Sequence, residues 1–167
     1  GLLVIAGNDN NVSEIAQVAR CTVENYGIEG KYTWNAKQIS HHQGHTIFDV
    51  EYQQSFWGSF RSPLLGNHNL LNTLASLAVA YHAGLSPPKI QEGLDTFLGI
   101  KRRQEIIGVP GGITIIDDFA HHPTAVKETL SAIKTAWPQN RLWAVFEPRT
   151  NTSRRNIFQE AYTNAFS

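Results

Sequence analysis

The sequence predicts an α/β chain, and three observations carry that reading. Leu2 to Ala6, a short helical stretch and Thr22 to Tyr26 follow one another as strand, helix and strand, the order of an α/β unit. Gly66 opens a long helix in which Leu70, Leu74, Leu77 and Tyr81 recur at helical spacing. The β-branched run Ile113-Thr114-Ile115-Ile116 reads as a buried strand, and Pro123, Val126, Leu130 and Ile133 read as a helix entered at its first turn.

Taken in order, Gly7-Asn8-Asp9-Asn10-Asn11 is a dense turn signal after the first strand. Ser13 is the expected cap of the short helix, with Ile15, Val18 and Ala19 on its apolar face, and Gly27 is expected to end the second strand. The pattern then becomes alternating over Tyr32 to Ile39, Thr46 to Tyr52 and Phe56 to Phe60, with Gly30, Gly44 and Gly58 between, so antiparallel strands are expected. Gly84 stops the long helix, and Leu85-Ser86-Pro87-Pro88 starts another through Ile90, Leu94 and Phe97 to Gly99. Residues 104–109 and 112–116 pair plausibly as a hairpin through Pro110-Gly111. Arg141-Leu142-Trp143-Ala144-Val145-Phe146 reads as a further buried strand, and the last residues as an amphipathic helix.

The chain of 167 residues, 41% of them hydrophobic, can bury a core and holds one domain or two partial ones. Its 14 basic and 14 acidic residues balance, which argues against a polyanion-binding surface and against nucleic acid as a partner. The single cysteine, Cys21, excludes an internal disulfide and fits a reducing compartment. Residues 1–7 lack the basic start and apolar core of a signal peptide, and no run is long enough for a membrane span, so a cytoplasmic protein without membrane contact is expected. The sequence contains no Met, opens in a strand-like run and stops within a helical pattern, and the expectation is a piece of a longer protein.

Chemistry-bearing residues gather at a few junctions. Asp117, Asp118, His121 and His122 sit between the Ile113–Ile116 strand and the helix at Pro123; at the carboxyl edge of a parallel sheet, that position suits a ribose and a phosphate. The same residues also read as ordinary capping and an ordinary loop. His68, Asn69 and Asn72 share the first turns of the long helix, and an Asn amide can donate to and accept from an adenine edge at once, although Asn and His at a helix start are also common caps. Lys101-Arg102-Arg103 is a dense basic run that reads either as a solvated strand start or as a phosphate contact. Arg149, Arg154 and Arg155 follow the Arg141–Phe146 run and suit carboxylate or phosphate, or a solvated loop. His41, His42 and His45 lie in a polar stretch without a matching Cys or carboxylate, which makes a solvated loop the better reading and leaves no metal ligands assigned.

Three segments resemble the Mur ligase family: Asp117 to Ala125 (Asp-Asp-Phe-Ala-His-His-Pro-Thr-Ala), Phe146 to Arg155 and Gly66 to Asn72. The resemblance extends over essentially the whole chain. It implies that residues 1–100 are the later part of the family's central ATP-binding domain, and that residues 101–167 begin its Rossmann-like C-terminal domain. It implies that His68, Asn69 and Asn72 contact the adenine, that Arg103 reaches the nucleotide, that Asp118 takes the ribose hydroxyls and that His121 is a catalytic residue near ribose and phosphates. ATP and Mg²⁺ are the implied cofactors, with the magnesium ligands and the phosphate-cradling loop expected upstream, because no Gly-x-x-x-x-Gly-Lys-Ser/Thr motif is present.

Within the family, Phe119-Ala120 replaces the usual Tyr-Gly, and Arg149 to Ser153 replaces the His-Arg-Tyr-Thr-Arg typical of alanine-adding members. These differences resemble the branch that ligates a murein peptide, joining UDP-N-acetylmuramate to L-alanyl-gamma-D-glutamyl-meso-diaminopimelate through an acyl phosphate in peptidoglycan recycling. The alternatives are an alanine-adding ligase and a non-catalytic nucleotide-binding fragment; the match at 118–123 argues against a folylpolyglutamate synthase. The piece alone is expected not to ligate.

Overall fold

A continuous apolar run, β1 (Leu2–Ala6), and four more mixed strands, β2 (Thr22–Ile28), β3 (Trp34–His42), β4 (His45–Tyr52) and β5 (Ser55–Ser62), build one five-stranded sheet in sequence order. Strands β1 to β3 run parallel, and β3 to β5 are antiparallel. The structure is a computed structural model that describes residues 1–42, 44–148, 153 and 155–167. The chain divides into two compact units, residues 1–64 with 68–97, and residues 65–67 with 98–167.

Helices α2 (Asn67–His82) and α3 (Pro87–Thr96) complete the first unit. Leu70, Leu74, Leu77 and Ala78 of α2 and Ile90 of α3 meet Trp34, Ala36, Phe48, Val50 and Phe60 of the sheet in one buried cluster. The indole of Trp34 is at its centre, 4.3 Å from the Tyr52 ring and 5.3 Å from Tyr81. Gly84, at φ +84°, ends α2 in the left-handed conformation the sequence leads one to expect.

The turn from β2 to β3 is stitched by the side-chain amides of Asn35 and Asn25. Asn35, 1% exposed, donates to the Gly30 carbonyl at 2.8 Å and accepts the Gly30 N–H at 3.1 Å, while Asn25 accepts the Thr33 N–H at 2.7 Å. The Tyr32 ring fills the space thus formed: a Cβ at Gly27 would lie 2.1 Å from it, and at Gly7 2.4 Å. Strand β2 therefore continues through Gly27 rather than ending there, because only a residue without a side chain admits the ring.

Among the described residues strand β5 has no further strand beside it, and α3 closes that edge. Gln91 imitates a strand neighbour, accepting the Arg61 N–H at 2.8 Å and donating to the Arg61 carbonyl at 3.0 Å, while the Arg61 guanidinium pairs with Asp95 at 2.9 Å.

Three further expectations for the first unit are corrected. Asp9 caps α1 (Asn10–Ala16), accepting from the Asn11 and Val12 amides; Ser13 lies inside the helix and donates back to the Asp9 carbonyl. The helix buries none of its residues, and Ile15 and Val18 face solvent. His41, His42 and His45 stand on the β3–β4 hairpin rather than in a loop, with His42 opposite His45 and His41 opposite Thr46.

In the second unit, β6 (Glu105–Gly108) and β7 (Ile115–Asp117) pair antiparallel around a single 3₁₀ turn at Pro110–Gly112. Helix α4 (Pro123–Ala136) follows, and α5 (Gln159–Phe166) closes the chain. Here too the outcome differs from expectation. Among the described residues β7 has only the antiparallel β6 beside it, so the junction after it is not the edge of a parallel sheet. Ile113 is 69% exposed rather than buried. Residues 141–146 form no strand, and Trp143 and Val145 are exposed. A strand needs a hydrogen-bonding neighbour, and none of the described residues supplies one beside this run. Between β7, α4 and residues 140–146 a cavity of about 380 Å³ remains.

Candidate functional site

Two groups of residues, one in each unit, hold the expected nucleotide contacts. Gly66, at φ +88°, leads into α2, and His68 and Asn69, both partly buried, and the exposed Asn72 stand on the helix's first turns, in the first unit. The Asn69 and Asn72 carbonyls accept the hydroxyls of Thr73 and Ser76, the usual back-bonding of a helix interior.

In the second unit, Asp118 is fixed by main-chain amides. The Ala120 N–H donates to one carboxylate oxygen at 2.7 Å, and the Gln104 N–H to the other at 2.9 Å. A carboxylate has about four acceptor positions, so two amides orient it and leave capacity for a pair of hydroxyls. The Phe119 N–H donates to the Arg102 carbonyl at 2.8 Å, which ties the Asp118 turn to the loop carrying Arg103. Arg103 itself is exposed.

His121 is held by its ring and its main chain. Its Nδ1 lies 3.0 Å from the Phe119 carbonyl; a carbonyl only accepts, so this contact assigns the proton to Nδ1 and leaves Nε2 as the acceptor of the neutral ring. The Tyr162 hydroxyl of α5 donates to the His121 carbonyl. His122 does different work: as the residue before α4 its Nδ1 accepts the Thr124 N–H at 3.4 Å, the opposite tautomer. The adjacent histidines thus divide into a capping ring and one with a nitrogen lone pair to offer.

Asp118, Arg103 and His121 therefore come together around one clasped turn, while His68, Asn69 and Asn72 belong to the other unit. Arg155 is exposed just before a 3₁₀ turn. Arg149 and Arg154 lie outside the described residues. Among the described residues no three His, Cys, Asp or Glu side chains converge to hold a metal ion. The sequence reading singled out Arg102 only as part of the Lys101–Arg103 basic run and missed Tyr162; the spacing of Tyr162 and Phe166 is the signal that α5 sets both rings against Phe146, each at a tilt, 5.0 and 5.6 Å between centroids.

Two family descriptions match the chain in succession: the Mur ligase middle domain over residues 1–80, and the Mur ligase glutamate ligase domain over residues 102–165. The chain belongs to the Mur ligase family. Among Mur ligases it is 38% identical over its full length to the UDP-N-acetylmuramate–L-alanine ligase of Clostridium acetobutylicum, and 36% identical over 96% of its length to that of Caldanaerobacter subterraneus. It spans only about a third of these relatives, 36% and 35% of their lengths. The fold matches the UDP-N-acetylmuramate–alanine ligase of Thermotoga maritima at a TM-score of 0.81 with 22% identity, over 99% of this chain and 35% of that one. A murein peptide ligase from Psychrobacter arcticus matches at a TM-score of 0.63 with 31% identity, again over 99% of this chain and 35% of the other. As an α/β Mur ligase, the chain comprises middle-domain and C-terminal-domain sequence.

Proposed function

We propose that this chain supplies the nucleotide-binding side of an ATP-dependent amide-bond ligase that acts on UDP-N-acetylmuramate, with residues 1–100 from its central domain and 101–167 from its C-terminal domain. The observation that carries the reading is the Asp118 carboxylate, oriented by the Gln104 and Ala120 amides on the same turn that presents His121. This donor set fits a nucleoside phosphate: a fixed carboxylate accepts ribose hydroxyls, and the exposed Arg103 meets phosphate oxygens with a bidentate fork. His68, Asn69 and Asn72 read the adenine edge. His121, with Nε2 as acceptor, takes a hydrogen bond near ribose and phosphates.

In the proposed reaction the sugar carboxylate attacks the γ-phosphorus of ATP and ADP leaves; an amine then attacks the acyl carbon of the resulting acyl phosphate and expels phosphate, forming the amide. Magnesium, held by residues outside this chain, supplies charge neutralisation at the transferred group. Arg103 adds to that neutralisation from the protein side. The purified chain alone does not ligate, and turnover by it would refute this part of the reading.

For the acceptor we favour the tripeptide L-alanyl-gamma-D-glutamyl-meso-diaminopimelate, with a role in recycling and Arg149, Arg154 and Arg155 on the substrate side. Support comes from the Phe146-to-Ser153 sequence and from the 31% identity to the Psychrobacter arcticus murein peptide ligase. The second reading, L-alanine as acceptor, is favoured by the 38% identity to the Clostridium acetobutylicum enzyme. ADP binding tests the site directly: Asp118→Ala and Arg103→Ala each weaken it about tenfold, the loss expected for one charge-assisted contact. Unchanged affinity in both removes the site assignment.

A further inference from the structure

We propose that Arg102, which stands beside the nucleotide contacts without being one of them, is the positioning residue that sets Asp118 and Arg103; the inference rests on the nucleotide reading above. Four interactions converge on it. Its carbonyl accepts the Phe119 N–H at 2.8 Å, and its own N–H donates to Glu105 at 2.8 Å. Its guanidinium lies over the Phe119 ring, 5.0 Å from the centroid, and its Nε is 3.5 Å from an Asp117 carboxylate oxygen. Side-chain exposure of 43% at both Arg102 and Asp117 shows that these contacts are not core packing.

The backbone explains what they accomplish. Arg102 sits at φ +59° and Gln104 at φ +51°, left-handed conformations that side-chain-bearing residues avoid unless their surroundings hold them there. The strained pair flanks Arg103 and turns the Gln104 N–H onto Asp118. With the Arg102 side chain removed, the loop keeps its strain and loses its grip on Phe119 and Asp117, so the Gln104–Asp118 bond opens. Asp118 and Arg103 are then ordered only when nucleotide arrives, and binding weakens by the cost of that ordering.

The test combines amide hydrogen exchange with ADP titration of the 167-residue chain, in the wild type and in Arg102→Ala, Arg102→Lys, Arg103→Ala and Asp118→Ala. In Arg102→Ala, exchange at Gln104 and Phe119 should quicken about three- to tenfold with α4 unchanged, and ADP affinity should fall by a similar factor. Lysine, which keeps the charge over Phe119 and beside Asp117, should restore both to within about twofold. Unchanged exchange at Gln104 and Phe119 in Arg102→Ala overturns the inference. So does an ADP affinity insensitive to Arg102→Ala while Arg103→Ala and Asp118→Ala both weaken it. If none of the variants changes ADP affinity, the nucleotide reading itself falls and takes this inference with it.

Discussion

Glu24 is the one buried carboxylate among the described residues, 5% exposed on β2, and three donors from three other elements converge on it. Trp34 Nε1 donates at 2.6 Å, His82 Nε2 at 3.0 Å and the Tyr52 hydroxyl at 3.3 Å. Burial pushes the Glu24 pKa up, but the Trp34 and His82 contacts and the Tyr52 hydroxyl outweigh it, and the net direction is down from 4.5. Burial and the adjacent Glu24 charge push the Tyr52 hydroxyl up, which keeps it a donor. Because the folded pKa is depressed, the ionised carboxylate stabilises the fold above about pH 4.5, and the contribution is lost as pH falls through the folded value. Glu24→Gln should therefore cost about 1–3 kcal/mol near neutral pH, since one buried donor loses its charged acceptor. Denaturant unfolding across pH should show the difference from wild type shrinking below pH 4.5; a constant difference would separate Glu24 from the acid response. At Gly27, alanine would put a Cβ 2.1 Å from the Tyr32 ring. Gly27→Ala should lower stability by about 1–3 kcal/mol, measured by the unfolding midpoint, as the ring is forced out of its slot.

At the scale of elements, α3 caps the β5 main chain at Arg61 through the Gln91 side chain, beside the Arg61–Asp95 ion pair. Gln91→Ala removes both hydrogen bonds to Arg61 and should cost about 1–2 kcal/mol, with faster amide exchange at Arg61 than elsewhere in β5. Uniform exchange along β5 would mean that the helix packs there without guarding the edge. Elements whose partners lie close in sequence were legible beforehand. Leu70, Leu74 and Leu77 announce α2, and alternation announces β3 to β5, because those patterns record burial against neighbours the chain itself supplies. The Arg141–Phe146 run was misread for the converse reason: its apolar residues look the same whether or not a strand stands beside them. The cap of α1 was shifted because Asp9 and Ser13 both satisfy the local rule, and only the helix start separates them. At the site, the residue types at 118 and 121 were visible. The Asp118 clasp was not, because it depends on main-chain amides and on left-handed conformations at Arg102 and Gln104 that no residue preference signals.

For the whole molecule, two successive Mur ligase domain matches join a sheet-and-helix unit to a unit carrying the clasped Asp118 turn. Polar residues recur at the start of α2 in one unit and again between β7 and α4 in the other. No helix among the described residues is long and apolar enough to cross a membrane. The central claim is that these residues serve an ATP-dependent muramate ligase whose acceptor is a peptide. The measurement that tests it most directly is phosphate release by the complete protein with ATP, Mg²⁺ and UDP-N-acetylmuramate, comparing the tripeptide with free L-alanine and with Asp118→Ala as control. The account predicts release with the tripeptide, little with L-alanine, and a drop of at least about tenfold in Asp118→Ala. Coupling of L-alanine in preference to the tripeptide would contradict the peptide assignment, and full activity in Asp118→Ala would contradict the site.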